Sequence, residues 1–275
     1  MAFRPLSQIS KFYRVSEWIH LLGLCLIGFV YSPEDFHLGA LPLPIVASSF
    51  YLAFGFSSNT VLEGYPSMKT PMKRLLLSFS PGLLCLLVSY FSSAYMVLTF
   101  FICIVLSVLY SAPFPRLKNV PFIGLFLNSS LFTAPFLAGY FTAGGQFNVI
   151  FILLFAMVFS FVVPFQLVHE MEHLRDDTAL GYRTTAAYAS LPVVKLISAS
   201  FLVSAILSHY LASKLFSRYD QFILMSLLFS VFLLAVVFRL REGDYAQFGR
   251  CRILMRMAAV AYGVSLLVVF FSSLY

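Results

Sequence analysis

Charged residues are scarce in this sequence of 275 residues: Asp, Glu, Lys and Arg together make up 11% of it, whereas hydrophobic residues make up 60%. A soluble domain cannot cover its surface with so few charges, and the mean hydropathy of +0.91 excludes the soluble class as well. The sequence also lacks the short alternating segments that are typical of a membrane barrel. These absences predict an all-α integral membrane protein.

Paired cysteines and a cleavable signal are lacking too. Cys25, Cys85, Cys103 and Cys251 are widely scattered, and no two of them have the spacing of a disulfide or a metal site, so we expect them to be packing residues. Residues 1–17 form a polar, basic lead without a small-residue cleavage site, so the first apolar segment is expected to remain as a helix. Nothing in the charge pattern suggests nucleic acid as a partner.

Apolar segments of about 17 to 25 residues, each long enough to cross a hydrocarbon core of about 30 Å, recur from end to end. They predict about nine transmembrane helices in a single domain over residues 1–275. The predicted spans are 16–31, 41–62, 75–92, 94–112, 121–141, 147–168, 190–213, 220–239 and 252–274.

The basic residues predict the orientation of these helices. With a cytoplasmic N-terminus, only Lys214 and Arg218 of the 18 basic residues lie outside. The acids and bases then concentrate on the cytoplasmic side, where we expect any activity. The basic residues assigned to the inside are Arg4, Lys11, Arg14, Lys69, Lys73, Arg74, Arg116, Lys118, Arg175, Arg183, Lys195, Arg239, Arg241, Arg250, Arg252 and Arg256.

Two inside connections carry candidate ligand-binding residues. Asn59 and Glu63 are four residues apart, so they share one helical face at the end of the second span. An acid at the membrane boundary pairs with a base or binds a cation, and Lys69 and Arg74 follow closely. In the third connection, Arg116 and Lys118 either extend to lipid phosphates or bind the phosphates of a ligand, and the residues alone leave both interpretations open.

The stretch 169–185 is the most polar of the chain. His169, Glu172 and Asp176 have i, i+3, i+7 spacing, which predicts an imidazole and two carboxylates on one helical face, with His173 expected off that face. Such a face suits a hard cation, because magnesium takes one or two carboxylates and leaves positions for water and phosphate. Gly181 is a predicted helix stop, and two threonines are predicted caps for the next helix, Thr184 and Thr185. The alternative is a solvated loop with acids paired to Arg175 and Arg183.

A second motif overlaps the first. His169, Glu170 and His173 form H-E-x-x-H, in which two histidines bind zinc and the glutamate acts as a general base. The motif needs a third ligand, and the sequence supplies no obvious one. The H-E-x-x-H motif nevertheless makes an intramembrane zinc metalloprotease an alternative hypothesis.

With nine spans and acidic motifs after the second and the sixth, the chain resembles the UbiA superfamily of intramembrane prenyltransferases over most of its length. That family carries N-x-x-x-D-x-x-x-D after its second helix and D-x-x-D-x-x-x-D, followed by G-x-x-T, after its sixth. The corresponding residues here are Asn59, Glu63 and Ser67 for the first motif, and His169, Glu172, Asp176, Gly181 and Thr184 for the second. The segment LYSAPFPRLK and the pair Arg14 and Trp18 are also similar to family features.

The resemblance implies a helical bundle around a central cavity open to the membrane. There, an isoprenyl group would be transferred from a prenyl diphosphate to an aromatic or other lipophilic acceptor, with Mg²⁺ as cofactor. Glu63, Glu172 and Asp176 would be the metal ligands. His169, in place of an acid, would bind metal, hydrogen-bond the diphosphate or act as a base. The diphosphate would be bound by Asn59, Lys69, Arg74, Arg116 and Lys118.

Two positions depart from the family pattern, because Ser67 and His169 replace acids. Three acids remain where the pattern has five. A diverged terpene cyclase and a non-catalytic prenyl-diphosphate binder are therefore the alternatives within the same family.

Overall fold

The protein, seen in a computed structural model, is described over residues 10–32, 38–63 and 72–272. Within these ranges the regular structure is helical and no β-strand occurs. Eight of the described helices are long and apolar enough to span a membrane. These findings confirm the all-α integral membrane class, which the scarcity of charge predicted.

The predicted spans correspond to described helices, but the helix Val149–Ala179 extends well past residue 168 and the helix Tyr245–Ser272 begins well before residue 252. The first, α1 (Val15–Tyr31), is shorter than the other spans, and α7 (Thr185–Tyr188) is a single turn between two of them. The eight long helices are α2 (Pro42–Glu63), α3 (Met72–Tyr90), α4 (Ala94–Ser111), α5 (Ile123–Thr142), α6 (Val149–Ala179), α8 (Leu191–Leu215), α9 (Asp220–Phe238) and α10 (Tyr245–Ser272).

The chain divides into two compact units, Met1–Leu117 with Ala134–Gly145, and Lys118–Thr133 with Gln146–Tyr275. In the first unit, α2 packs against α3 and α4. Here α1 and the second half of α5 touch backbone to backbone, because a Cβ on Gly28 would collide with the carbonyl of Phe136 and one on Gly139 with that of Cys25. Small residues allow membrane helices to approach this closely.

In the second unit, α6 packs against α8 and α10, and α8 also packs against α9. Polar groups inside these helices are paired: the Nδ1 atom of His209 lies 2.6 Å from the Ser226 hydroxyl, which lies 2.7 Å from that of Tyr262. Pairing of this kind offsets the cost of placing polar groups in an apolar medium. The four cysteines, distributed over both units, are free and buried, as expected for packing residues.

Candidate functional site

Residues 169–179 of the polar stretch form the last third of α6. This helix has 31 residues and is therefore about 46 Å long, whereas a hydrocarbon core is about 30 Å thick. All of its charged residues and histidines lie between His169 and Asp177. The excess length therefore carries the polar residues beyond the apolar part of the helix, and the alternative is wrong in making residues 169–179 a loop, because they are helical.

The end of α6 is fixed by its glycine. Gly181 has a φ of +74°, and its N–H donates to the carbonyl of Thr178 while that of Tyr182 donates to the carbonyl of Asp177. This pair of bonds is a Schellman motif, so the predicted helix stop is confirmed. Thr184 caps α7 by accepting from the N–H of Ala187, at 3.3 Å.

The predicted second cap, Thr185, has a different role. Its hydroxyl oxygen accepts from the N–H of Phe122 at 3.0 Å, so it connects the start of α7 to the segment before α5. Lys118 lies in the same unit, with its Nζ atom 4.1 Å from the centre of the Tyr182 ring. The structure thus brings this predicted phosphate-binding lysine to the loop that follows α6.

One group of three side chains that could together hold a metal ion occurs among the described residues: His169, Glu172 and His173. Their ligand atoms all lie within 4.8 Å of one another, and each side chain is half-buried. The expectation that His173 lies off the face of His169 and Glu172 is therefore wrong. On a helix with about 100° per residue, His173 is only about 40° from His169. Asp176 belongs to the same helix, is exposed and is outside this group of three.

Arg252 of α10 joins two of these residues. Its Nη1 atom lies 2.5 Å from Nδ1 of His169, and its Nε atom lies 2.8 Å from Oε2 of Glu172. A guanidinium only donates hydrogen bonds, so Nδ1 must be the acceptor, and the His169 ring in this contact is neutral with its proton on Nε2. The contact with Glu172 is an ion pair without an aligned hydrogen bond, because neither Nε nor Oε2 has such a bond.

Sequence reasoning used Arg252 only for orientation and missed this contact. The available signal was an arginine at the start of an apolar span, where an unpaired charge is costly. Gly249, one turn earlier on α10, contributes as well. A Cβ at this position would lie 3.0 Å from Oε1 of Glu172, so the glycine leaves room for the carboxylate beside α10.

Glu170 lies on the other side of α6. Its side chain is 7% exposed, and its carboxylate accepts a hydrogen bond from the N–H of Ala186 at 3.1 Å. The carboxylate is thus engaged by the backbone of α7. A general base must reach its substrate, so this arrangement argues against the zinc protease hypothesis, in which Glu170 has that role.

The residues of the first motif belong to the other unit. Asn59 of α2 is half-buried, and its Oδ1 atom accepts from the hydroxyl of Ser111, at 2.7 Å, at the end of α4. Glu63 is the last residue of α2. Its side chain lies outside the described part of the structure, as do Ser67 and Lys69.

Two further predicted diphosphate-binding residues also fall in the first unit. Arg74 is exposed in the first turn of α3. Arg116 follows the end of α4, is half-buried and has a left-handed backbone conformation, with a φ of +51°. The diphosphate-binding roles of these two residues remain predictions.

Comparisons with known proteins agree with this architecture. A UbiA homologue from Archaeoglobus fulgidus bound to DMAPP and Mg²⁺ has a TM-score of 0.75 and 15% identity, with 95% of this chain and 99% of that chain covered. A UbiA homologue from Aeropyrum pernix K1, in its apo form, has a TM-score of 0.72 and 14% identity, with 92% and 98% covered.

A digeranylgeranylglyceryl phosphate synthase structure has a TM-score of 0.67 and 16% identity, with 94% of this chain and 99% of that chain covered. At these identities the likeness shows the fold alone. No curated protein sequence matches the chain significantly. The model of the UbiA prenyltransferase family matches residues 68–260, well over half of the sequence. The chain therefore belongs to the UbiA prenyltransferase family.

Proposed function

We propose that this protein transfers an isoprenyl group from a prenyl diphosphate to an aromatic or other lipophilic acceptor within the membrane, with Mg²⁺ as cofactor. Family membership supports prenyl transfer in general. The observation that carries the proposal for this chain is the half-buried face of α6, where Glu172 lies beside an arginine and two histidines. Archaeoglobus fulgidus homologues bound to Mg²⁺ with GPP or with DMAPP support the substrate class.

The oxygen donors of α6 fit magnesium. Glu172 and Asp176 are carboxylates one helical turn apart, and magnesium takes one or two carboxylates together with water and substrate phosphate. Glu63, at the end of α2, is the proposed third ligand. Bound magnesium would neutralise the charge that develops on diphosphate as it leaves.

The basic residues would bind the diphosphate directly. Arginines offer paired donors to phosphate oxygens, whereas lysines act as point charges, so Arg74, Arg116, Lys69 and Lys118 would stabilise the leaving group. Asn59 would orient a diphosphate oxygen through its amide group. The Lys118 ammonium group over the Tyr182 ring is near the end of α6, which supports its assignment to this set.

The reaction breaks the bond between the allylic carbon and the diphosphate oxygen, and the diphosphate keeps the electron pair. The acceptor then forms a bond to the allylic carbon and releases a proton. His169 is proposed as a catalytic residue with Glu172 and Asp176. Because Arg252 donates to Nδ1 and the ring proton is on Nε2, the neutral ring can accept a proton or bind a metal once its contact with Arg252 is broken.

We place this chemistry on the cytoplasmic side of a cytoplasmic-type membrane. The support is the charge asymmetry, which puts 16 of the 18 basic residues on the same side as the α6 site when the N-terminus is cytoplasmic.

A direct test uses the purified full-length protein with radiolabelled prenyl diphosphates of several chain lengths and candidate acceptors, with and without magnesium. We expect magnesium-dependent diphosphate release and labelled product, and a loss of at least a hundredfold in the rate for Asp176→Asn. Asp177→Asn, which changes the neighbouring acid, is the matched control and should retain the rate. Absence of diphosphate release with every chain length would overturn the proposal.

The ion pair between Arg252 and Glu172 favours a second candidate within the family. Arg252 already neutralises the charge of Glu172, one of the few acids of the site. This would suit a diverged cyclase or a non-catalytic prenyl-diphosphate binder. Diphosphate release that does not need an acceptor would indicate the cyclase. Tight binding of the diphosphate without release would indicate the binder.

A further inference from the structure

The group of His169, Glu172 and His173 is chemically mixed. It offers one carboxylate oxygen and two imidazole nitrogens, all within 4.8 Å of one another. Magnesium prefers oxygen ligands, whereas imidazole nitrogen suits zinc, cobalt and the other later first-row metals. Two of the three donors in the group therefore favour a metal other than magnesium.

The backbone of α6 already holds the three ligands close to the arrangement that such a metal needs. They lie at positions i, i+3 and i+4, which share one side of a helix. Zinc binds nitrogen and oxygen at about 2.0–2.2 Å, so the ligand atoms of one tetrahedral ion are roughly 3.3 Å apart. The ligand atoms now lie within 4.8 Å of one another, so the side chains would have to bring them closer by up to about 1.5 Å to reach that spacing.

We propose that His169, Glu172 and His173 form a binding site for a divalent ion of the Zn²⁺ and Co²⁺ class, with Arg252 as an internal competitor for the ligands. Glu172 is also a proposed magnesium ligand, together with Asp176 and Glu63, so this ion would occupy part of the proposed magnesium site. A fourth position on the ion stays open, which would suit water or a diphosphate oxygen. That last role rests on the proposed function, whereas the binding of the ion does not.

The competition follows from the chemistry of His169. If the metal takes Nδ1, it displaces Arg252 from the same lone pair. If the metal takes Nε2, the neutral ring carries its proton on Nδ1, and that N–H then faces a guanidinium donor. In either case the metal and the contact between Arg252 and His169 exclude each other. The metal also competes with Arg252 for the carboxylate of Glu172.

The test measures binding of Co²⁺ and Zn²⁺ to the purified full-length protein in the absence of any prenyl substrate. Equilibrium dialysis gives the stoichiometry, and the visible absorption of Co²⁺ reports nitrogen ligation. We expect one ion per chain, retained in a large excess of magnesium. His173→Ala should weaken binding at least tenfold, and Asp177→Asn, the control, should leave it unchanged.

Arg252→Gln should strengthen binding about tenfold, because it removes a charge-assisted contact that the ion must displace. This variant keeps the test decisive if His173→Ala is unstable, and an unchanged thermal unfolding of Arg252→Gln shows that the gain does not come from cysteines exposed by misfolding. The proposal fails if the wild type binds no Co²⁺, if equimolar magnesium displaces it, or if Arg252→Gln binds no more tightly. Prenyl transfer is measured separately, so its loss or presence does not decide this result.

Discussion

Glu170 and Glu172 are two residues apart on α6, yet they differ in burial and in the groups that they contact. Glu170 is buried and accepts from the backbone of Ala186, whereas Glu172 is half-buried and lies beside Arg252 and two histidines. Two residues on a helix differ by about 200°, so the two carboxylates point to opposite sides. One side holds α7 in place, and the other carries the groups that suit binding of a cation and a diphosphate.

The largest effect should come from the side of α6 that carries Glu172. Glu172→Gln removes the charge that we assign to the metal, so the rate of prenyl transfer should fall by roughly 10² to 10³ while the melting temperature changes little. Turnover of a radiolabelled prenyl diphosphate at saturating magnesium measures the first quantity, and thermal unfolding the second. A variant with near wild-type turnover would remove Glu172 from the site.

The buried side should respond in the opposite way. Glu170→Ala leaves the N–H of Ala186 without its acceptor, which costs about 1–3 kcal/mol of stability. We expect a lower melting temperature and little change in the rate per folded molecule. Glu170→Gln keeps an oxygen acceptor, so it should recover part of the stability. Loss of prenyl transfer with unchanged stability would instead indicate a chemical role for Glu170.

The smallest effect concerns the fit between Glu172 and α10. A Cβ at Gly249 would lie 3.0 Å from Oε1 of Glu172, so Gly249→Ala forces the carboxylate to shift by a few tenths of an ångström. We expect about a threefold higher metal concentration for half-maximal activity, by analogy with small misplacements of catalytic groups. Gly23→Ala is the control, because a Cβ there meets no atom within 4 Å. Equal behaviour of the two variants would contradict the positioning role of Gly249.

The two sides of α6 also separate what periodicity could predict from what it could not. Helical spacing predicted that His169 and Glu172 lie on one face, and this is confirmed. The same arithmetic places His173 on that face, so the contrary expectation was an error of reasoning and not a limit of the sequence. The burial of Glu170 was not available from spacing, because it depends on where α7 packs.

The sequence by itself determined the membrane class, the helical spans and the helix stop at Gly181, because apolar length, charge scarcity and a left-handed glycine act locally along the chain. Only the tertiary structure decided that Arg252 faces His169 and Glu172. His169 and Arg252 are 83 residues apart, so the packing of α10 against α6, and not any local pattern, brings the guanidinium to the imidazole.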